Sequence, residues 1–406
     1  MSELYKLPAG WEWKKLGDFV SIKGGKRLPK GEKLRETKTD YPYIRVADFN
    51  NFNSIDINSV QYISKEVFDK IKNYTISKDD IYISIAGTIG KTGVIPVSLD
   101  GANLTENAAK IVFDISEYNQ SFLVYFTTTF TFLDQIGLAT KTVAMPKLAL
   151  TRLKNVQIPL PPLAEQKLIV AKLDSLFGKI DKAIELHQQN ITNANTLMAS
   201  TLYKTFKKLE GEYSKQKIES FSKVGTGVTP LKSRKDYYNG SINWITSKAT
   251  GYDFVTEAEM FITDFAIKEC RLKVYPKGTL VVALYGQGKT RGQVTELLIE
   301  SATNQAVATI VVDKNQNNKY LKFFLKKSYL DLREKASGGT QANLNLTIIK
   351  NIEVPLPPLQ TQQQTVEYLD SIATKVDKIK QLNEQKLENL KALKASILDK
   401  AFRGEL

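Results

Sequence analysis

Two stretches of the chain carry apolar residues at close to a 3.5-residue spacing for far longer than a globular helix needs. In the first they are Ile169, Leu173, Leu176, Ile180, Ala183, Ile191 and Ala194; in the second, Leu369, Ile372, Val376, Ile379, Leu387, Leu390 and Ile397. Such stripes predict helices with one buried face. Each is preceded by a proline-rich brake, Pro159–Pro162 or Pro355–Pro358. Proline suits the first helical turn, because its φ is preset and the N–H it lacks has no partner there. Helices are therefore predicted to begin near Leu163 and Leu359. A helix of roughly 45 residues is ~65 Å long, too long to bury its stripe in one small domain. Two of them with matching stripes pack most simply on each other as a coiled coil. The return through an intervening domain makes the pair antiparallel.

The stripes belong to a duplication. Leu153–Asp181 and Ile349–Asp377 align without a gap at an offset of 196, with 14 of 29 positions identical. The likeness continues weakly at Leu202/Leu398 and Phe206/Phe402. Upstream, Leu16–Gly25 resembles Ile218–Gly227, Ser84–Val94 resembles Ala283–Val294, and Thr105–Ile111 resembles Thr303–Ile310. The order is variable unit, repeated segment, variable unit, repeated segment. The variable units read as mixed α/β. Asp80–Ile85 and Lys91–Pro96 pattern as strands around a glycine turn, and Gly278–Tyr285 and Ala306–Val312 as buried strands. Ser121–Leu133 and Lys319–Leu332 are aromatic-rich and predicted helical. The expected fold class is α+β with a pseudo-twofold internal repeat, divided at 1–157, 158–212, 213–353 and 354–406. His187 falls on the first stripe and Asn383 is its counterpart; polar residues on a seam set register. The alternative for His187 is a catalytic or metal-binding role.

Composition narrows the chemistry. A length of 406 residues predicts two to four structural units. A hydrophobic fraction of 42% with 25% charged residues is that of a folded protein and excludes disordered and collagen-like chains. The one cysteine, Cys270, excludes an intrachain disulfide framework and a multi-thiolate zinc site. The one histidine removes most His-dependent catalysis. Met1–Trp13 lacks a secretory layout, and the longest apolar runs fall well below the ~20 residues of a membrane helix, so a cytoplasmic protein without a membrane partner is expected. A net charge of +14 suggests a polyanionic partner, since counterion release drives Lys/Arg surfaces onto phosphates. The bland alternative is a basic protein that touches no nucleic acid.

Gly87–Thr92 (GTIGKT) and Gly286–Thr290 (GQGKT) invite a phosphate-loop reading, but the required upstream glycines are replaced by Ile85 and Ala283. Hairpin turns are expected instead, with Lys91 and Lys289 as candidate DNA-phosphate contacts. There is no amino-methyltransferase motif and no dinucleotide fingerprint. Glu165-Gln166-Lys167 and Glu384-Gln385-Lys386 have a Glu-x-Lys spacing found in nuclease sites, and are read as solvated helix faces. Basic clusters open both variable units. Lys14–Asp40 carries nine cations against four acids, and Tyr213–Gly240 has six cations against two. Candidate DNA-binding residues are Lys23, Lys26, Arg27 and Lys30 in the first and Lys232, Arg234 and Lys235 in the second. Gly24–Gly25 and Gly225/Gly227 are expected to let backbone approach a phosphate. Arg45, Arg234 and Arg291 are candidates for a guanine edge, and Asn304 and Gln305 for adenine. Taken singly, each is also explained as a solvated charge or a turn ligand.

The opening Leu7–Asp18 (LPAGWEWKKLGD), the two Pro-Leu-Pro-Pro-Leu segments with their helices, and the closing Ala395–Leu406 (ASILDKAFRGEL) resemble the DNA-specificity (S) subunit of type I restriction–modification systems. With the two-unit layout, the resemblance covers essentially the whole chain. The ends fit a cyclic arrangement: Phe402–Leu406 followed by Trp11–Leu16 mimics Phe206–Ile218. The resemblance implies two target-recognition domains separated by an antiparallel pair of long helices. Each domain would read one half of a split site in double-stranded DNA, with the helices setting the gap. It implies two methyltransferase subunits and restriction (motor-nuclease) subunits as partners. S-adenosylmethionine, ATP and Mg would serve those partners, leaving no catalytic residue, metal or cofactor to this chain. No base-contacting residue transfers, because the recognition domains of this family vary so widely. Two other classes remain open at this point: a self-contained nucleotide hydrolase or nuclease, and a basic coiled-coil scaffold for proteins.

Overall fold

The computed structural model describes residues 5–50, 52–140, 147–286, 289–335 and 343–406. The chain is mixed α/β and divides into two compact units, Met1–Leu186 with Lys386–Leu406, and His187–Gln385.

In the first unit, one antiparallel sheet has the order Ser21–Gly24, Ala108–Val112, Ile81–Ser84, Thr92–Val94. A second has the order Gln61–Tyr62, Pro42–Ile44, Ala102–Leu104, Thr75–Ile76, with one parallel step at Tyr43↔Asn103. Ile81–Ser84 is central and wholly buried, which is why its sequence runs apolar instead of alternating. The second unit has a five-stranded sheet, Ser222–Thr226, Val307–Val312, Leu280–Ala283, Val294–Leu297, Phe254–Val255. A smaller sheet runs Met260–Ile262, Tyr238–Ile245, Ala302–Thr303, and again has a parallel step, at Trp244↔Ala302. Each unit adds a two-stranded ribbon, Glu12–Lys15 with Gln157–Leu160 and Lys215–Lys217 with Glu353–Pro355. The strands expected from the apolar runs are all present.

Two long helices follow the proline brakes, Leu163–Glu212 and Leu359–Arg403, each starting at the predicted residue. Positions related by the 196-residue offset are buried alike: Leu173 and Leu369, Leu202 and Leu398, Phe206 and Phe402. In the first unit, Val170, Leu173, Phe177 and Ile180 share a core with Leu398, Ala401 and Phe402. Lys394 Nζ there sits 4.7 Å from the centre of the Phe177 ring and 2.7 Å from Asp181. In the second, Leu202, Phe206 and Leu209 share a core with Val366 and Leu369, and His187 Nδ1 lies 2.7 Å from Asn383 Oδ1. Among the described residues, no helix is long and apolar enough to cross a membrane.

Two expected helical stretches are helical but interrupted, and one expectation is corrected. Ser121–Leu133 is not one helix but parts of two, Gln120–Thr127 and Phe130–Thr140. The Thr128 and Thr129 hydroxyls donate back to the carbonyls of Tyr125 and Phe126, and Thr129 Oγ1 then accepts from Phe132 N, capping the next turn. Lys319–Leu332 is also parts of two helices, Asn318–Lys327 and Tyr329–Lys335, which meet at Ser328, whose backbone N–H closes the first on Phe324 O at 2.9 Å. The correction is Gln166, expected on a solvated face but buried. Its Oε1 accepts from Asn119 N at 2.9 Å and its Nε2 donates to Pro161 O at 2.9 Å. Gln362 does the same with Asn317 N at 3.0 Å and Pro357 O at 2.8 Å. Each glutamine ties the start of a long helix to the capping asparagine of an aromatic helix. Glu165 accepts from Trp11 Nε1 at 2.9 Å, while Glu384, Gln385 and Lys386 are exposed as expected.

Candidate nucleic-acid interface

Strand register brings the basic clusters into defined places. Gly24 pairs with Ala109 in the first unit and Thr226 with Ala308 in the second. The chain therefore leaves the corresponding strands at Gly25 and Gly227, and each glycine passes against the end of the neighbouring strand. A Cβ on Gly25 would lie 2.2 Å from Thr105 O, and one on Gly227 would lie 1.7 Å from Thr303 O. The close approach expected toward a phosphate is thus an approach to the protein's own backbone, sealed by Lys26 N→Leu104 O (2.8 Å) and Val228 N→Thr303 O (3.0 Å).

Two residues further on, each unit makes the same side-chain contact with different chemistry. Arg27 Nε donates to Glu106 Oε1 at 2.6 Å; the Thr229 hydroxyl donates to Gln305 Oε1. Burial works against the Glu106 carboxylate, but its bond to Arg27, its own backbone N–H, the Thr105 hydroxyl and the Arg27 charge together outweigh that and hold it below the usual range. Sequence reading picked out Arg27 and Gln305 but missed their partners. The signal was present in Thr105-Glu106-Asn107 and Asn304-Gln305-Ala306, which strand register aligns residue for residue, one place away from the alignment that pairs Thr105 with Thr303.

Other first-unit candidates differ in freedom. Lys23 is exposed, cross-strand from Lys110, whose Nζ is held by Asp80 at 3.0 Å. Lys26 and Lys30 are exposed, with Lys26 Nζ 5.4 Å from the centre of the Tyr74 ring. Arg45 is a correction. Its Nε and one terminal nitrogen grip Asp48, that nitrogen also donates to Ser59 O at 2.7 Å, and the other donates to Gln61 Oε1 at 2.6 Å. The guanidinium has five N–H groups. Four are committed inside the unit, so the free fork expected for a guanine edge is absent. Gly87–Lys91 joins the antiparallel strands Ile81–Ser84 and Thr92–Val94, a hairpin where a phosphate loop would lead into a helix. Lys91 is half-buried, its Nζ 3.5 Å from Phe49 O.

In the second unit, Lys232 and Asn304 line a groove of about 450 Å³ with Thr229, Tyr238 and Trp244. Asn304 Oδ1 accepts from Ala306 N at 3.1 Å, which fixes the amide. Arg234 is exposed but engaged: it bonds Asp236 through two nitrogens, at 2.9 and 2.6 Å, and stacks 4.6 Å from the Tyr237 ring centre. The Asp236 bond raises the pKa of the guanidinium and lowers that of the carboxyl. Lys235 and Lys289 are exposed. Arg291 is half-buried, and its Nε has no hydrogen-bond partner among the described residues. Of the second Gly-Lys turn, Gln287 and Gly288 lie outside the described residues. Among the described residues no cluster of His, Cys, Asp and Glu is grouped to hold a metal. Exposed cations and amides on hydrogen-bonded turns suit binding of a polyanion.

Comparison with known proteins converges on one family. The model of the type I restriction modification DNA specificity domain matches residues 8–195 and 210–391. The MjaVIII specificity subunit of a type I restriction enzyme from Methanocaldococcus jannaschii is 25% identical, over 99% of this chain and 94% of its own. The MjaIX specificity subunit of the same organism is 28% identical over 44% of this chain, and the match spans only 41% of that relative. A chain from a solved structure of a type I restriction–modification system, described for its complex assembly and conformational transition, superposes with a TM-score of 0.82. It is 21% identical, over 99% of this chain and 100% of that one. The HsdS subunit from Thermoanaerobacter tengcongensis superposes with a TM-score of 0.58 at 22% identity, over 99% of both chains.

Proposed function

The chain belongs to the type I restriction modification DNA specificity family, and from that premise we propose that it is a non-catalytic subunit that reads a bipartite, asymmetric site in double-stranded DNA. Residues 1–157 and 213–353 are the two target-recognition domains, and 158–212 and 354–406 the helical spacers. Each recognition domain reads one half-site. The two long helices pack as an antiparallel coiled coil that sets the gap and docks two methyltransferase subunits, with restriction subunits joining the assembly. S-adenosylmethionine, ATP and Mg are used by those partners.

The observation that carries this reading is the His187–Asn383 contact at the offset of the sequence repeat. In an antiparallel pair related by a pseudo-twofold axis, only residues at the axis meet their own counterparts. Leu173 and Leu369, and Phe206 and Phe402, are buried alike at the same sequence offset, as a repeat of the two halves requires. Two half-site readers held at a fixed separation gain affinity through effective concentration and lose it when the spacing is wrong.

The test is to add one heptad to each long helix beside His187 and Asn383, and to map the recognised motif in the complex. Seven helical residues add ~10 Å, so the gap lengthens by about three base pairs while both half-sites keep their bases. Altered half-site bases at an unchanged gap would contradict the spacer role.

A further inference from the structure

We propose that the paired side chains Arg27–Glu106 and Thr229–Gln305 occupy one specificity-determining position in the two recognition domains, with Arg27 and Gln305 presented to a base edge. This rests on the DNA-reading role above and names the residues through which it is exercised.

Three features place the two pairs at one position. The strands that precede them share a register, Gly24↔Ala109 and Thr226↔Ala308. The glycines that follow, Gly25 and Gly227, are the points where each turn is pressed on the neighbouring strand's end. The next backbone bonds, Lys26 N→Leu104 O and Val228 N→Thr303 O, are the same bond in both units. Arg27 with Glu106, and Thr229 with Gln305, then follow at matching steps along both chains. The local backbone is shared and the chemistry is not: a charged pair stands in one unit and a neutral hydroxyl–amide pair in the other. A fixed frame with exchanged polar side chains is what a reader of different bases requires.

Geometry gives each pair a free end. Arg27 meets Glu106 through Nε, and its two terminal nitrogens make no hydrogen bond among the described residues. Its side chain is 79% exposed, whereas Glu106 is 24% exposed. The carboxylate therefore buttresses the arginine and leaves a terminal N–H fork facing outward, the geometry that matches guanine O6 and N7. Gln305 is exposed and accepts from Thr229 through Oε1, so its amide NH₂ is the outward donor, with one lone pair still open on the oxygen. Arg45, by contrast, has its donors turned inward on Asp48, Ser59 and Gln61.

The assignment is tested with the full-length chain in complex with its methyltransferase subunits, by selecting from a randomised double-stranded DNA library and sequencing the bound fraction. R27K keeps the charge and removes the fork, and E106Q removes the buttress. Each is expected to relax preference at one position of one half-site about ten- to hundredfold, with the other half-site unchanged. The double variant T229R/Q305E installs the charged pair in the second unit and is expected to change the preferred base at one position of the other half-site. Unchanged base preferences in all three folded variants would overturn the assignment and leave the pairs as loop latches. A uniform loss of affinity across all sequences, with a shallower salt dependence, would also overturn it and make Arg27 a phosphate contact. If the unmodified complex enriches no sequence at all, the DNA-reading role itself fails, an outcome separate from either of these.

Discussion

His187 and Asn383 are separated by 196 residues, the spacing at which the two halves of the sequence repeat, and they bond to each other at 2.7 Å. The contact is directional. Asn383 Nδ2 donates to Ile379 O, so its Oδ1 faces His187 and Asn190 as an acceptor. His187 Nδ1 consequently carries the proton in this arrangement.

A polar pair on a helix seam fixes register at a cost in stability. H187A leaves the Asn383 oxygen short of its main donor and is expected to lose about 1 kcal/mol; N383A loses a similar amount, and the double variant less than their sum. H187L/N383L is expected to be as stable as the parent or more so, but with less uniform helix pairing. A double-mutant cycle by chemical denaturation checks the coupling. Strictly additive losses would show that the bond contributes nothing to pairing.

Gln166 and Gln362 make the same two bonds in their own units, and each is expected to matter only there. Q166A frees Asn119 N and Pro161 O, and Q362A frees Asn317 N and Pro357 O, a loss of about 2–3 kcal/mol per variant from buried polar groups left unpaired. Hydrogen exchange checks the locality. Q166A should speed exchange over residues 119–127 and spare 317–327, with the reverse for Q362A.

Gly25 and Gly227 tolerate no side chain, because the obstacle at each is backbone. G25A and G227A are each expected to cost more than about 2 kcal/mol and to displace the turn that follows. Under the proposed DNA-reading role, each weakens recognition of one half-site only. Thermal melts with half-site binding measurements separate the two effects.

Lys322 supplies a pH signature in the second unit. It is buried, its Nζ 3.5 Å from the Phe254 ring centre and 3.6 Å from Glu296. Burial, helped by neighbouring Lys326, pushes it down to about 8, against the opposing pull of Glu296 and Asp253. Between about pH 8 and the ordinary 10.5, the unfolded chain binds more protons than the folded one, so this residue makes stability rise with pH across that window. Below pH 8 that gain is absent. K322M, which keeps the side-chain volume, is expected to remove the rise. Chemical denaturation of both proteins at pH 7 and pH 10 measures it, and parallel pH dependences would contradict it.

Much of this architecture was legible in the chain. The proline brakes and the stripes placed both helix starts, and runs such as Gly278–Tyr285 placed the central strands, because these signals are local and strongly periodic. The break at Thr128–Thr129 was not legible, since a hydroxyl that turns back on its own helix looks no different in sequence from one that faces solvent. Gln166 read as a surface residue because Asn119, 47 residues away, is brought to it only by tertiary packing. The candidate cations were legible as types but not as states. Arg45 and Arg27 are indistinguishable in composition, and only the fold shows Arg45 turned inward and Arg27 facing out.

The most direct test of the central claim is to map methylated adenines across the DNA of cells carrying this chain and a methyltransferase subunit, with and without the gene for this chain. A chain that directs the methyltransferase yields one split motif with a fixed gap, methylated only when the chain is present. Methylation that is unchanged by its removal would contradict the claim that this chain directs the methyltransferase to its DNA sequence.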